Sequence, residues 1–195
     1  MKPACILAAL VLLAHSAMAG KQAQPLLLTT VKPLPMAIDP SFQFRKEKIF
    51  LMTEQAPTTT KDKTVGKEGQ PNQGTPSSKS TSVVQEASIT FERQYRLFGA
   101  ITKVDQHQRF GDYFDFFWHA KRPADLTVRL EYRQEKLHGH VQAQEVPVGL
   151  VHGSHKTSFR VVGDDYYDGG KVLAWRCLLV ENGTIVAETR SFLWR

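Results

Sequence analysis

The chain has 195 residues, of which 42% are hydrophobic and 23% are charged, and its formal net charge is +6. These proportions are ordinary for a globular protein, and they exclude a wholly disordered or collagen-like chain. Two cysteines exclude a scaffold held by several disulfides. The positive charge favours anionic surfaces, but it is not clustered on one predicted face, so we expect no nucleic-acid partner.

Residues 1–19 have the three parts of a secretory signal peptide. Lys2 is followed by an apolar run over residues 6–14 and by the small-residue motif Ala-Met-Ala at 17–19. The apolar run is too short for a permanent membrane helix, and no other stretch is long and apolar enough. We therefore expect an exported protein, periplasmic or secreted, without a transmembrane helix after cleavage.

The region from residue 20 to residue 87 is predicted to be a mostly disordered polar linker. It is rich in Pro, Thr, Ser, Lys and Gln, and residues 56–82 have almost nothing to bury. Residues 41–54 are an apolar island within it. A stray strand, a short helix and a segment that folds on a partner all stay open for this island.

From residue 88 onward the pattern changes to short alternating apolar runs with turn signals between them. This pattern predicts an all-β domain over 88–195, a seven-stranded sandwich without a helical period. The predicted strands are residues 93–104, 110–120, 126–133, 140–148, 156–162, 171–181 and 184–194, with a turn at 163–170.

The last two predicted strands meet at residues 181–183, and the length of this loop decides which side chains share a face. A two-residue turn at Asn182-Gly183 would place Glu188 opposite Cys177. A three-residue loop with a G1 bulge keeps the charges on the other face, and we expect that loop. One face would then hold Leu173, Trp175, Cys177, Leu179, Ile185, Ala187, Thr189, Ser191 and Leu193.

Three features of the predicted domain carry a family resemblance. They are Trp118 early in the domain, a Leu-x-Val-x-Leu-x-Tyr strand over 126–132, and Val-x-Ala-Trp-Arg before the final hairpin at 172–176. The region 88–195 thereby resembles immunoglobulin and fibronectin-III-type sandwiches. Signal peptide, polar spacer and single domain together are similar to small exported immunoglobulin-like proteins associated with bacterial pilus machinery. The resemblance implies envelope or surface-appendage proteins as partners.

Two clusters contain side chains that bind metals in other proteins. Four histidines lie close together in sequence, and carboxylates alternate with glycines in the predicted turn. Neither cluster has a recognised ligand spacing, and Asp and Gly are also what turns require. We expect no metal and no cofactor. The clusters are His138, His140, His152 and His155, and Asp164, Asp165 and Asp168.

The predicted domain has candidate sugar-binding residues but no recognised catalytic motif. Tyr166 and Tyr167, with Trp194, could stack on a sugar ring, although packing explains them as well. No nucleophile motif is visible, so no catalytic residue is predicted. After cleavage Cys177 would be the one remaining cysteine, and its place between apolar residues favours a small buried core residue over a reactive thiol.

The function predicted from the sequence is that of a non-enzymatic protein-interaction or assembly module of the cell envelope. Docking is expected through the outer face of the sheet that contains the last two strands. The alternatives are a carbohydrate-binding module and a metal-dependent enzyme, and a solvated face with cross-strand ion pairs explains the same residues without binding. The predicted docking residues are Arg129, Arg133, Arg176, Val186, Arg190, Phe192 and Trp194.

Overall fold

The computed structural model describes residues 24–28, 30–54 and 79–195, with side chains in the last range from residue 87 onward. Strands predominate, which confirms the predicted β class. A 3₁₀ turn, Glu135–Leu137, joins the two longest strands. In chain order the elements are β1 (Leu26–Leu28), β2 (Phe42–Met52), α1 (Lys79–Leu97), α2 (Lys103–His107), β3 (Gly111–Gln134), β4 (Val141–Val162), α3 (Asp164–Gly169), β5 (Val172–Glu181) and β6 (Thr184–Arg190).

The described strands form one sheet in the order β1-β4-β3-β5-β6, and every pair of neighbouring strands is antiparallel. β2 and β5 both pair with β3, at different places along it. β2 pairs with residues 111–120, which we call the first half of β3, and β5 pairs with residues 126–134, the second half. β4 pairs with β3 along both halves.

β3 bends sharply between its halves. Phe116 in the first half lies 5.3 Å, between ring centroids, from Trp175 on β5. Trp175 pairs with Tyr132 in the second half of β3, sixteen residues beyond Phe116. A straight strand would separate residues sixteen apart by about 50 Å. The two halves of the sheet therefore face each other across one core, an arrangement that is compatible with a β-sandwich.

The core between the halves is rich in aromatic side chains. Phe114, Phe116 and Trp118 line the first half and Trp175 lines the second, and all four are buried. Burial of a polar group without a hydrogen bond is costly. The indole Nε1 of Trp118 donates to Thr157 Oγ1 at 3.0 Å.

The N-terminal segment of residues 30–39 crosses the outer face of the second half. Leu34 packs on a small buried cluster formed by Leu178, Val180 and Ile185. The backbone N–H of Ile185 donates to Pro35 O at 2.8 Å, which pairs this segment with β6. The segment covers apolar side chains that would otherwise face water.

Six strands are described instead of seven, and the first predicted strand is wrong. Residues 93–104 fall in α1, in the turn after it and at the start of α2. The side chain of Thr102 caps α2 by accepting from the Asp105 N–H, while the Asp105 carboxylate accepts from the Thr102 N–H. This capping box is a local signal for a helix start, and its effect outweighs the β-propensity of the apolar residues around it.

Two pairs of predicted strands are each one continuous strand. The strands predicted at 110–120 and 126–133 are both part of β3, and those at 140–148 and 156–162 are both part of β4. The predicted gap at residues 121–125, which includes Pro123, is a register shift between Ala120 and Ala124, where the ladder is interrupted and then resumes. Proline lacks the N–H that a ladder needs, and a bulge tolerates it as well as a turn does. The turn predicted at 163–170 contains the short helix α3.

The final hairpin has a two-residue turn, so the predicted three-residue loop is wrong. Asn182 and Gly183 both have positive φ, 50° and 76°, as a type I′ turn requires. The pairing then shifts at a bulge on β6, from Val180 opposite Ile185 to Leu179 opposite Ala187. The bulge places Cys177 opposite Thr189 instead of Glu188. It also separates Ile185 from Ala187, which was predicted to share its face.

Some predictions about the N-terminal region lie outside the described residues. The signal peptide predicted at 1–19 does, and so does the linker over 55–78. The apolar island at 41–54 contains β2, the strand among the three alternatives, and the sheet therefore extends into the region predicted as linker. No described helix combines the length and the hydropathy needed to span a bilayer.

Candidate functional site

The predicted docking face lies on the second half of the sheet, where it is mostly covered. Arg129 is buried and binds Glu145 through Nε and Lys32 O through Nη1, while Arg176 binds the buried Glu131. Cross-strand ion pairs of this kind satisfy charges that would be costly to bury alone. Residues 30–39 cover the adjacent part of the face. Ion pairing and coverage leave little of this face free for a partner.

The C-terminal residues complete this cover. The ring of Trp194 packs against the guanidinium groups of Arg133 and Arg176, which lie 4.7 and 5.1 Å from its centroid, and Trp194 is only 7% exposed. Val186 was predicted on the outer face, but it is buried in the main core because of the β6 bulge. Arg190 is exposed, and Phe192 is 89% exposed. Of the seven predicted docking residues, only these two are freely accessible.

A second surface, which the sequence reading missed, is an apolar ridge on α1, α2 and the turn between them. Its five side chains are between 68% and 88% exposed. They are Phe91, Tyr95, Phe98, Ile101 and Val104. Phe91 and Tyr95 are spaced i, i+4 along one side of α1, and Phe98 follows at i+7 in the turn directly after the helix. Exposed apolar residues that follow one another on a surface are unusual and mark interaction sites.

α1 is held on the sheet by arginines, and none of its described side chains is buried. Arg93 donates to the backbone carbonyls of Thr53 and Glu54, at the end of β2. Arg96 stacks on the ring of Tyr113 at 4.0 Å and forms an ion pair with Glu92. These contacts fix which side of the helix faces the sheet, and the ridge is on the other side.

A third surface is a basic groove on the outer face of the first half. Three strands contribute one residue each to four cross-strand rows. The rows are Phe50–Tyr113–Arg160, Lys48–Asp115–Ser158, Lys46–Phe117–Lys156 and Gln43–His119–Ser154. Successive rows are two residues apart along β3, so the four rows span about 20 Å.

Two concavities lie along this face and share Lys156. The larger, about 920 Å³, is bounded by α1 and reaches Tyr113, Asp115 and Arg160. The smaller, about 350 Å³, lies beside Phe117 and includes Arg45. Burial and the positive charges of Arg45 and other neighbours lower the pKa of His119 at this end. The linings of the two concavities hold five cations, Arg45, Lys48, Arg96, Lys156 and Arg160, against three carboxylates, Glu47, Glu92 and Asp115. The groove thus combines aromatic rings with a local excess of positive charge.

The sequence-predicted metal ligands are not brought together. His138 and His140 precede β4, while His152 and His155 lie in its second part, where the rings of Trp118 and His155 stack at 4.8 Å. Within the described ranges, no three His, Cys, Asp or Glu side chains are arranged to hold a metal ion. Asp164, Asp165 and Asp168 all belong to α3, which begins and ends at glycines.

The remaining predicted residues have structural contacts. Tyr167 stacks on His107 at 3.8 Å and donates from its hydroxyl to Glu54 Oε1, which ties α3 to α2 and to the end of β2. Tyr166 meets the ring of Tyr167 edge-on. Cys177 is completely buried, which confirms the core interpretation, and burial raises the pKa of its thiol well above the usual value.

Comparisons with known proteins return no relationship. No family model, no curated protein and no solved structure matches this chain.

Proposed function

We propose that this chain is an exported, non-enzymatic protein-interaction module of the cell envelope that docks through the apolar ridge of α1 and α2. The observation that carries the proposal is the exposure of Phe91, Tyr95, Phe98, Ile101 and Val104, each at least 68% accessible. Exposing this much apolar surface to water is unfavourable, and such a surface is common where a partner protein covers it. The proposal moves docking from the sheet face predicted from the sequence to the helical edge.

The spacing of the ridge favours a protein partner with an apolar groove. A helix that binds in a groove presents anchors at i, i+4 and i+7, as Phe91, Tyr95 and Phe98 do. The rings of Phe91 and Tyr95 already stack on each other, 6.5 Å apart, so little side-chain entropy is lost on binding. By the resemblance stated above, the partner belongs to the envelope or surface-appendage proteins.

The test is a photo-crosslinking amino acid placed at position 91 in the full chain, and separately at Asp125 of β3, which is exposed and lies just before the second half. Position 91 should crosslink one protein in envelope fractions, and position 125 should not. That protein, once identified and purified, should bind the wild-type chain, and Phe98→Ser with Ile101→Ser should weaken binding at least thirtyfold.

Leu150→Ser is the matched control, because Leu150 is 78% exposed and lies outside the ridge. It should leave the affinity unchanged. Three outcomes contradict the proposal: equal crosslinking from both positions, ridge-dependent binding to phosphatidylcholine and phosphatidylglycerol vesicles, or a ridge-dependent homodimer.

A further inference from the structure

We propose that the basic groove binds a linear acidic polysaccharide. This site adjoins the ridge, because Tyr95 also lines the larger concavity, but it does not depend on the function proposed for the ridge. Four cations stand in the rows of the groove, Lys46, Lys48, Lys156 and Arg160, against one row carboxylate, Asp115. Of these cations, Lys156 pairs with Asp115, and Lys46, Lys48 and Arg160 make no ion pair with any described residue.

Phe117 is the centre of the groove. It is half-buried on an outer strand face, and the ammonium groups of Lys48 and Lys156 lie 6.0 and 5.7 Å from its ring centroid. The exposed face of an aromatic ring offers an apolar platform with partial negative charge, which suits the C–H face of a pyranose. Two ammonium groups beside the platform can bind carboxylates or sulfates on the same sugar or its neighbours.

The polar groups of the groove favour a ligand rich in hydroxyls. Asp115 accepts from Ser158 Oγ at 2.6 Å and pairs with Lys156 at 3.0 Å. A carboxylate in this position can accept sugar hydroxyls, which a polysaccharide offers at every unit and the internal nucleotides of DNA lack. Ser154 and His119, which contact each other at 3.1 Å, add further hydrogen-bonding groups one row away.

The length of the groove suits a polymer. Both concavities adjoin the rows of the groove, and Lys156 lines both of them. Rows of donors and cations repeat every two residues, about 7 Å apart, so an extended chain can meet several of them in turn. Single small anions would use only one row.

The experiment measures binding of the full chain to alginate, a linear polyuronate, by isothermal titration calorimetry at low salt. Dextran serves as the uncharged polymer and a poly(dT) oligonucleotide as the phosphate polymer. We expect binding to alginate, none to dextran, and a steep loss of affinity with added salt. Lys48→Gln with Arg160→Gln should weaken alginate binding at least tenfold, and Phe117→Ala should do so by a similar factor.

Lys32→Gln is the matched control, because Lys32 is an exposed lysine on the segment that covers the opposite half of the sheet. It should change the affinity less than twofold. The proposal is overturned if the wild-type chain does not bind alginate, if Lys32→Gln weakens binding as much as the groove variants, or if poly(dT) binds more tightly through Phe117. Since the ridge residues are unchanged in every groove variant, crosslinking from position 91 reports separately on the proposed docking function.

Discussion

At the scale of single residues, the two aromatic side chains next to the C-terminus have opposite environments. Trp194 is buried against the guanidinium groups of Arg133 and Arg176, while Phe192 projects into water. Trp194→Ala should therefore lower the free energy of unfolding by about 2 kcal/mol, from lost burial and lost cation–π contact. Phe192→Ala is the matched control and should change it by less than about 0.5 kcal/mol. Urea unfolding measures the free energy of unfolding of both variants. Equal effects of the two substitutions would show that Trp194 does not pack against the guanidinium groups.

A second residue-scale prediction concerns Asp112, whose carboxylate is buried and accepts from the Val172 N–H at 2.8 Å. Burial raises its pKa to about 6. Between pH 4 and pH 6 the unfolded chain releases this proton first, so the folded state binds more protons and becomes less stable as the pH rises. This group should lower the free energy of unfolding by roughly 2–3 kcal/mol in total, and the decrease should be complete near pH 7.

Asp112→Asn keeps an acceptor for the Val172 N–H and removes the buried charge. The variant should be more stable than the wild-type chain at pH 7.5 and similar to it at pH 4, by urea unfolding at both values. Asp164→Asn changes an exposed carboxylate and is the control. The prediction would be contradicted if the free energies of unfolding of Asp112→Asn and the wild-type chain differed by the same amount at both pH values.

At the scale of elements, α1 has no buried side chain among those described and is held on the sheet by arginines. Arg96 stacks on Tyr113, with Phe50 further away at 5.6 Å, and Arg93 donates to the carbonyls of Thr53 and Glu54. A lysine keeps the charge but cannot stack in the same way. Arg96→Lys should speed hydrogen exchange over residues 88–97 roughly fivefold, while the sheet amides keep their protection. The exposed Gln94→Ala is the control; loss of protection in β3 would mean that the helix supports the whole fold.

The elements also show what the sequence can and cannot predict. The burial of Cys177 followed from alternation along one strand, a local pattern. The continuity of β3 across residues 121–125 could not be predicted in this way, because Pro123 is compatible with a bulge as well as with a turn. The ridge was predictable: Phe91, Tyr95 and Phe98 have helical spacing, and the Thr102–Asp105 cap follows them. Their high apolar content led to the strand interpretation instead.

At the scale of the whole molecule, the two outer faces of the sheet differ. The face of the second half is covered by residues 30–39 and by Trp194, and its charges are largely paired. The face of the first half carries the basic groove, open except where α1 borders it. No local sequence pattern reveals the groove, because each row combines three strands that are far apart in the chain, such as Lys48, Asp115 and Ser158. Only the pairing register brings them together.

The same topology predicts how the molecule unfolds. β3 and β4 run through both halves, and the rings of Phe116 and Trp175 join the halves across the core. Neither half can lose its strands without disrupting the other, so we expect one cooperative transition. Two variants test this. Trp175→Phe with Trp194→Phe leaves Trp118 to report on the first half, and Trp118→Phe with Trp194→Phe leaves Trp175 to report on the second.

In each variant, urea unfolding followed by fluorescence should coincide with unfolding followed by far-ultraviolet circular dichroism. The substitutions will lower stability by different amounts, so the comparison is made between the two signals within one variant. A fluorescence transition that precedes the loss of strand signal in only one variant would show that one half opens by itself. The bend near Ala120 would then be a hinge between two units that unfold separately, rather than a bend within one cooperative unit.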